Sequence, residues 1–133
     1  MAKPGNSQEF APFVAGLRQR IRLGRRRIWL LGNRERLGLY WNLGHALSTG
    51  GFEPDEVSKA LRSEDPIGEF NSGQLQWMRR FAKAWPDEAE VRMRLGHISW
   101  HKHRMILQRL RSDKARRAYV EREWERSWEG RLP

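Results

Sequence analysis

Apolar residues recur along this chain at helical spacing. Phe10, Phe13, Val14, Leu17, Ile21, Ile28 and Leu31 fall three, four or seven apart, which lays a stripe along one helix face. Arg18, Arg20, Arg22 and Arg25 to Arg27 occupy much of the remainder. The pattern resumes with Leu37, Tyr40, Trp41, Leu43 and Leu47, then stops at Thr49-Gly50-Gly51, because glycine readily takes the backbone conformation that ends helices. Unbroken from Gln8 to Ser48, such a helix would run roughly 60 Å at about 1.5 Å per residue. Gly24, Gly32, Gly38 and Gly44 each weaken it by up to about 1 kcal/mol, so a kink or split is expected near Gly24 or Gly32. A helix this long in a small protein needs something to pack on, which gives a homodimer through it a physical basis.

Shorter amphipathic segments follow. Glu53-Pro54-Asp55-Glu56 opens a helix holding Val57, Ala60 and Leu61, with Pro and acids in the first turn. Asp65-Pro66-Ile67-Gly68 reads as a loop. Asn71 or Ser72 supplies an N-cap oxygen for the next helix, in which Leu75, Met78, Ala82 and Trp85 form the inner stripe and Trp77 and Phe81 widen it. Gln76, Arg79, Arg80 and Lys83 are left facing outward, and Pro86 ends the helix. Asp87-Glu88 caps a short helix through Val91, Met93 and Leu95, stopped by Gly96. Ser99 caps another, placing Trp100, Met105, Ile106, Leu107 and Leu110 inward and His101, Lys102, Gln108, Arg109 and Arg111 outward. Ser112-Asp113 starts the last, with Ala115, Ala118, Tyr119, Val120, Trp124 and Trp128. No stretch alternates with period two, so the expected fold is all-α: one long N-terminal helix and four or five shorter ones.

Composition supports that reading. The chain has 133 residues, 38% hydrophobic and 11% aromatic, enough for one modest core built on large side chains. It contains no Cys, which excludes disulfides and thiolate metal sites and fits a reducing, cytoplasmic setting. Residues 1–7 and 130–133 read as tails around one helical domain at residues 8–129. No window approaches the apolar run of about 18 residues that spans a membrane.

Charge changes the picture more. The formal net charge is +10. Residues 1–48 carry nine Lys/Arg against two Glu, and residues 71–111 carry nine against three acids. Between them, residues 49–70 carry two bases and six acids. Two basic blocks separated by an acidic connector favour a polyanion partner: DNA, RNA or an anionic membrane surface. Phosphate contacts are expected from Arg25, Arg26, Arg27, Arg79, Arg80, Lys83, Lys102 and Arg104, and base contacts from Gln74, Gln76 or His101. A solvated helix face gives the same pattern at Arg79, Arg80 and Lys83. The seven Trp could stack bases, but most occupy apolar helical positions where core packing explains them.

Leu95-Gly96-His97-Ile98-Ser99 joins two short helical patterns as a helix-turn-helix would, though an ordinary corner between helices fits as well. His97, His101 and His103 cluster, but His97 precedes the capped helix and no HExxH pattern accompanies them, so no metal or other cofactor is expected. Pro54-Asp55 and Pro86-Asp87 lack the following acidic-x-Lys pair of a metal nuclease. No catalytic residue stands out, and the chain reads as non-enzymatic.

Four segments resemble one family. Asn33-Arg-Glu-Arg-Leu-Gly-Leu-Tyr-Trp-Asn-Leu-Gly44 resembles the "N-x-x-L-x-x-L-Y-W-x-I-G" segment of YhcG-type bacterial proteins. Phe70-Asn-Ser-Gly-Gln-Leu-Gln-Trp-Met-Arg-Arg-Phe81, followed by Trp85-Pro86, resembles their "F-S-x-x-N-L-x-x-M-R-x-F" with its aromatic-Pro exit, with Gln74 where the family usually has Asn. Ile98-Ser-Trp-His-Lys-His103 and the run from Arg117-Ala-Tyr119 to Trp128 resemble "L-S-W-x-H" and "R-x-x-Y … W-S". The resemblance implies a helix-turn-helix-like N-terminal domain presumed to bind DNA, normally followed by a PD-(D/E)xK nuclease domain. That second domain has no counterpart in this sequence. The leading expectation is therefore a duplex-DNA-binding module of a bacterial or mobile-element nuclease-type system. The alternative is an interaction or oligomerisation module whose long helix docks a separate nuclease subunit or other partner.

Overall fold

A computed structural model describes residues 7–129, and their side chains except at positions 7, 26, 27, 29–31 and 127–129. The fold is all-α. Helix α1 covers Ser7–Leu31, α2 Asn33–Gly50, α3 Pro54–Leu61, α4 Ser72–Ala84, α6 Trp100–Arg109 and α7 Asp113–Glu129. Between α4 and α6, the single turn α5 (Glu88–Glu90) continues as a wider π turn, Val91–Leu95. None of the described helices is long and apolar enough to cross a membrane.

The long N-terminal pattern breaks at one of the two glycines expected to break it. Gly32 has φ +83°, open to glycine and strained for any other residue. Its N–H donates to the carbonyl of Ile28, and its own carbonyl accepts from the N–H groups of Glu35 and Arg36, so one residue closes α1 and opens α2. Gly24, by contrast, lies inside α1. Beyond the break the chain turns back. A Cβ on Gly24 would meet the Leu39 side chain, and one on Gly50 would meet the Phe13 ring, so α1 and α2 run antiparallel. The apolar stripe of α1 is thereby covered within the same chain, with Val14, Leu17 and Ile21 all buried. A continuous helix reaching Ser48 does not form.

Helix α2 is the centre of the molecule. Nine of its residues are buried, from Leu37 to Leu47, as expected of a helix with apolar residues around most of its circumference. One side joins α1, α3 and α4 in a cluster with Leu39, Leu43, Leu47, Phe70, Leu75 and Met78. The other joins Trp85, Val91, Leu95, Ile98, Ile106 and Val120 through Leu37 and Trp41. Closest approach is at Gly44, where an added Cβ would lie 1.9 Å from the Met78 carbonyl oxygen. Trp41 Nε1 donates to the Trp85 carbonyl at 2.6 Å, which satisfies the backbone where Pro86 ends α4.

The capping residues act as their chemistry predicts. Asn71 Oδ1 accepts from Gln74 N at 2.9 Å, Ser99 Oγ from Lys102 N at 3.2 Å and Ser112 Oγ from Ala115 N at 3.1 Å. Asp87 Oδ1 accepts from Ala89 N at 3.0 Å. Two apolar residues of these later helices lie outside: Met93 is 66% exposed and Ala118 is exposed. Met93 is two residues from buried Val91 and two from buried Leu95, and two residues along any helix is nearly the opposite face.

Candidate nucleic-acid interface

The two basic blocks meet different fates. Two arginines of the first, Arg18 and Arg25, fold onto the acidic connector. Arg18 Nε lies 3.0 Å from Glu64 Oε1, and its Nη2 donates to the Ala60 carbonyl at 2.8 Å. Arg25 Nη2 lies 3.2 Å from Glu69 Oε1, its Nη1 donates to the Glu64 carbonyl at 3.3 Å, and its guanidinium stands over the Phe70 ring at 5.3 Å. Glu69 also accepts from the Tyr40 hydroxyl at 2.6 Å. Burial and this carboxylate together push the Tyr40 phenol well above its ordinary range. The carboxylate of Asp65 accepts from the N–H groups of Glu69 and Phe70, both at 2.8 Å, and fixes the loop that carries Glu69. Arg25 is therefore a tie between α1 and the connector. The side chains of Arg26 and Arg27 lie outside the described residues.

The second block stays open to solvent along α4. Gln76, Arg80 and Lys83 are exposed and Arg79 half-exposed, on one face by helical spacing. No carboxylate among the described residues pairs with Arg79, Arg80 or Lys83. Gln76 Nε2 makes one contact, 3.3 Å to Ser72 Oγ on its own helix. Helix α6 lies beside α4. Trp100 Nε1 donates to Gln74 Oε1 at 3.0 Å, which engages Gln74 in the seam between the helices. Further along that seam, the guanidinium of Arg80 stands 4.9 Å from the centre of the Trp77 ring and that of Arg104 stands 5.4 Å from it. Trp77 is half-buried, at the border of core and solvent rather than within the core.

On the far flank of α6, α7 brings acids over bases. Lys102 Nζ lies 3.5 Å from Glu123 Oε2, and Arg94 pairs with Glu121. Lys102 is thus partly neutralised, while His101 is exposed. The histidine cluster does not converge. His103 is fully buried, with Nε2 3.1 Å from the Leu95 carbonyl and the ring edge-on to Phe81. Burial pushes its pKa down to about 4, so the ring is neutral and Nε2–H is the donor. His97 packs against Trp124. No group of three or more potential ligands that could hold a metal ion occurs among the described residues.

The turn before α6 is held from two sides. Asn33 Nδ2 donates to the carbonyls of Gly96 at 2.8 Å and Ile98 at 3.0 Å, and His103 holds Leu95. Residues that carry the motif pattern, Asn33, Tyr40, Trp41, Gly44 and His103, are therefore structural. Trp77 is a residue for which the sequence favoured core packing over a contact role. Its signal was the Arg three positions later, since residues three apart meet on a helix.

A family profile, the DUF1016 N-terminal domain, matches residues 16–132. The chain belongs to this family, the YhcG-type N-terminal domain. No curated protein and no solved structure matches it.

Proposed function

We propose that this domain is a non-enzymatic nucleic-acid-binding module for duplex DNA, acting in a nuclease-type system, with the outer face of α4 and the adjoining edge of α6 as its contact surface. One observation carries the reading. The arginines at 18 and 25 are satisfied by Glu64 and Glu69, whereas Arg79, Arg80 and Lys83 project from one helix face with no carboxylate among the described residues. Three cations on one face supply the sequence-independent attraction to phosphates. Gln76 and His101, both exposed, are the groups able to reach base edges. Support for a helix-turn-helix-like role comes from the braced turn at residues 96–98, which fixes the angle at which α6 leaves.

Binding of the full chain to random duplex DNA, single-stranded DNA and RNA, each at low and moderate salt, tests this. The expected result is saturable binding to duplex DNA that weakens steeply with salt, because each neutralised phosphate releases counterion. Duplex affinity indifferent to salt would refute it. Failure to bind any of the three would favour the interaction module. Its surface would then be the groove between α1 and α2, about 510 Å³, lined by Phe13, Gly16, Arg20, Asn42 and His45.

A further inference from the structure

We infer that Trp77, Arg80 and Arg104 form one phosphate clamp, in which the Trp77 indole holds two guanidiniums from different helices ready for a single phosphodiester. The inference rests on the nucleic-acid reading and adds a specific site to it. Arg80 comes from α4 and Arg104 from α6, yet both stand over the same ring, at 4.9 and 5.4 Å. Two cations sharing one indole repel each other. Elsewhere in this protein a half-buried arginine is paired with carboxylates, as Arg92 is with Glu35 and Glu88. Here no carboxylate among the described residues relieves either one. Arg104 Nε is, in addition, buried without a hydrogen-bond partner. The outer N–H groups of both guanidiniums are thus left for solvent or an anionic ligand to satisfy.

The chemistry of the missing partner follows from the donors. A guanidinium stacked on an aromatic face keeps its N–H groups in its own plane, free to point at an acceptor. Two such planes present forked donors suited to the oxygens of a phosphate group. Stacking also restricts two long side chains before the ligand arrives, which lowers the ordering cost of binding. Trp77 is thus a positioning residue, and the arginines make the contact. Arg79 and Lys83, on the same helix, would serve neighbouring phosphates as ordinary point charges.

The test uses the full chain with its tryptophan indoles labelled with ¹⁵N and inorganic pyrophosphate as the probe. The Trp77 indole resonance, assigned by its loss in Trp77→Phe, should shift saturably with pyrophosphate in wild type. The effect should vanish in Arg80→Ala and Arg104→Ala. In duplex-DNA binding, Trp77→Leu should weaken affinity by about tenfold, while Trp77→Phe keeps most of it. Trp77→Leu combined with Arg80→Ala should cost far less than the product of the two single losses, because both break one unit. Arg80→Lys and Arg104→Lys, which keep charge and fold but lose the fork, should bind nearly as poorly as the alanine variants. Wild-type affinity in Trp77→Leu, independent losses in the double variant, or full rescue by lysine would each overturn the clamp. DNA binding that ignores Trp77 and Arg104 but still falls with the loss of the α4 cations sinks the clamp and leaves the wider reading standing. Pyrophosphate binding without DNA binding keeps the phosphate site and sinks the wider reading.

Discussion

Replacement of Gly44 by Ala tests the packing that places α4 where its basic face meets solvent. An added Cβ would lie 1.9 Å from the Met78 carbonyl oxygen and 2.4 Å from its carbonyl carbon, where ordinary contact begins near 3.4 Å. Both partners are helix backbone, so no side-chain rotation relieves the clash. The helices must separate in the middle of a seam that buries Leu43, Leu47, Leu75 and Met78. Overpacking of a core costs typically about 1–3 kcal/mol, and a rigid neighbour puts this case at the upper end. Alanine returns up to about 1 kcal/mol through its higher helix propensity. The net loss is about 2 kcal/mol, which for a domain of this size lowers Tm by roughly 8 °C. Gly16→Ala is the control. It also lies within a helix, but nothing stands within 4 Å of its would-be Cβ. The same propensity should therefore stabilise it by roughly 0.5–1 kcal/mol. Thermal denaturation followed by circular dichroism gives both values. A Gly44→Ala protein as stable as wild type would refute the close α2–α4 contact.

Three further outcomes are expected. His103 has a pKa near 4 in the fold against 6.5 in the unfolded chain, so its contribution is complete above pH 6.5 and is lost as pH falls toward 4, by up to about 3 kcal/mol. His103→Gln, which can still donate to the Leu95 carbonyl, should flatten that part of the pH–stability curve in denaturant unfolding, and an unchanged slope would show that other groups dominate. Glu123→Gln should free Lys102 and Arg126 and raise duplex-DNA affinity by about twofold to threefold, more than Glu125→Gln, an equal charge change at an exposed position that makes no ion pair among the described residues; equal effects would mean only net charge matters. Asn33→Ala removes both bonds to the Gly96 and Ile98 carbonyls and should cost about 1–2 kcal/mol, with hydrogen exchange rising first around residues 96–99; unchanged protection there would argue against the brace.

Local chemistry was legible from the residues alone. Caps at Asn71, Asp87, Ser99 and Ser112, the stop at Pro86 and the break at Gly32 each depend on a few neighbouring side chains, so sequence reading found them. The apolar stripes located most of the core for the same reason. Long-range pairing was hidden. Spacing in α1 does not tell that Arg25 will meet Glu69, 44 residues on, or that Gly32 will fold the stripe back onto α2. Net charge by block pointed to two equivalent basic regions, whereas the fold ties Arg18 and Arg25 of the first to the connector between them. Gln74 and Lys102 were reasonable readers by residue type, yet Trp100 and Glu123 engage them, and only packing decides that. Trp77 was hidden by its position, since a tryptophan beside an apolar stripe is core until a second helix brings an arginine over its ring.

The most direct test of the central claim compares salt dependence across three proteins. Duplex-DNA affinity is measured over a salt series for wild type, for Arg79→Ala/Arg80→Ala/Lys83→Ala and for Arg18→Ala/Arg25→Ala. Each lost phosphate contact lowers the slope of log affinity against log salt by about 0.9. The α4 triple variant should lose roughly two to three of slope along with most of its affinity, while the α1 variant, whose arginines already face Glu64 and Glu69, should keep the wild-type slope. A triple variant that binds with wild-type slope, or an α1 variant that loses more than the triple, would contradict the account.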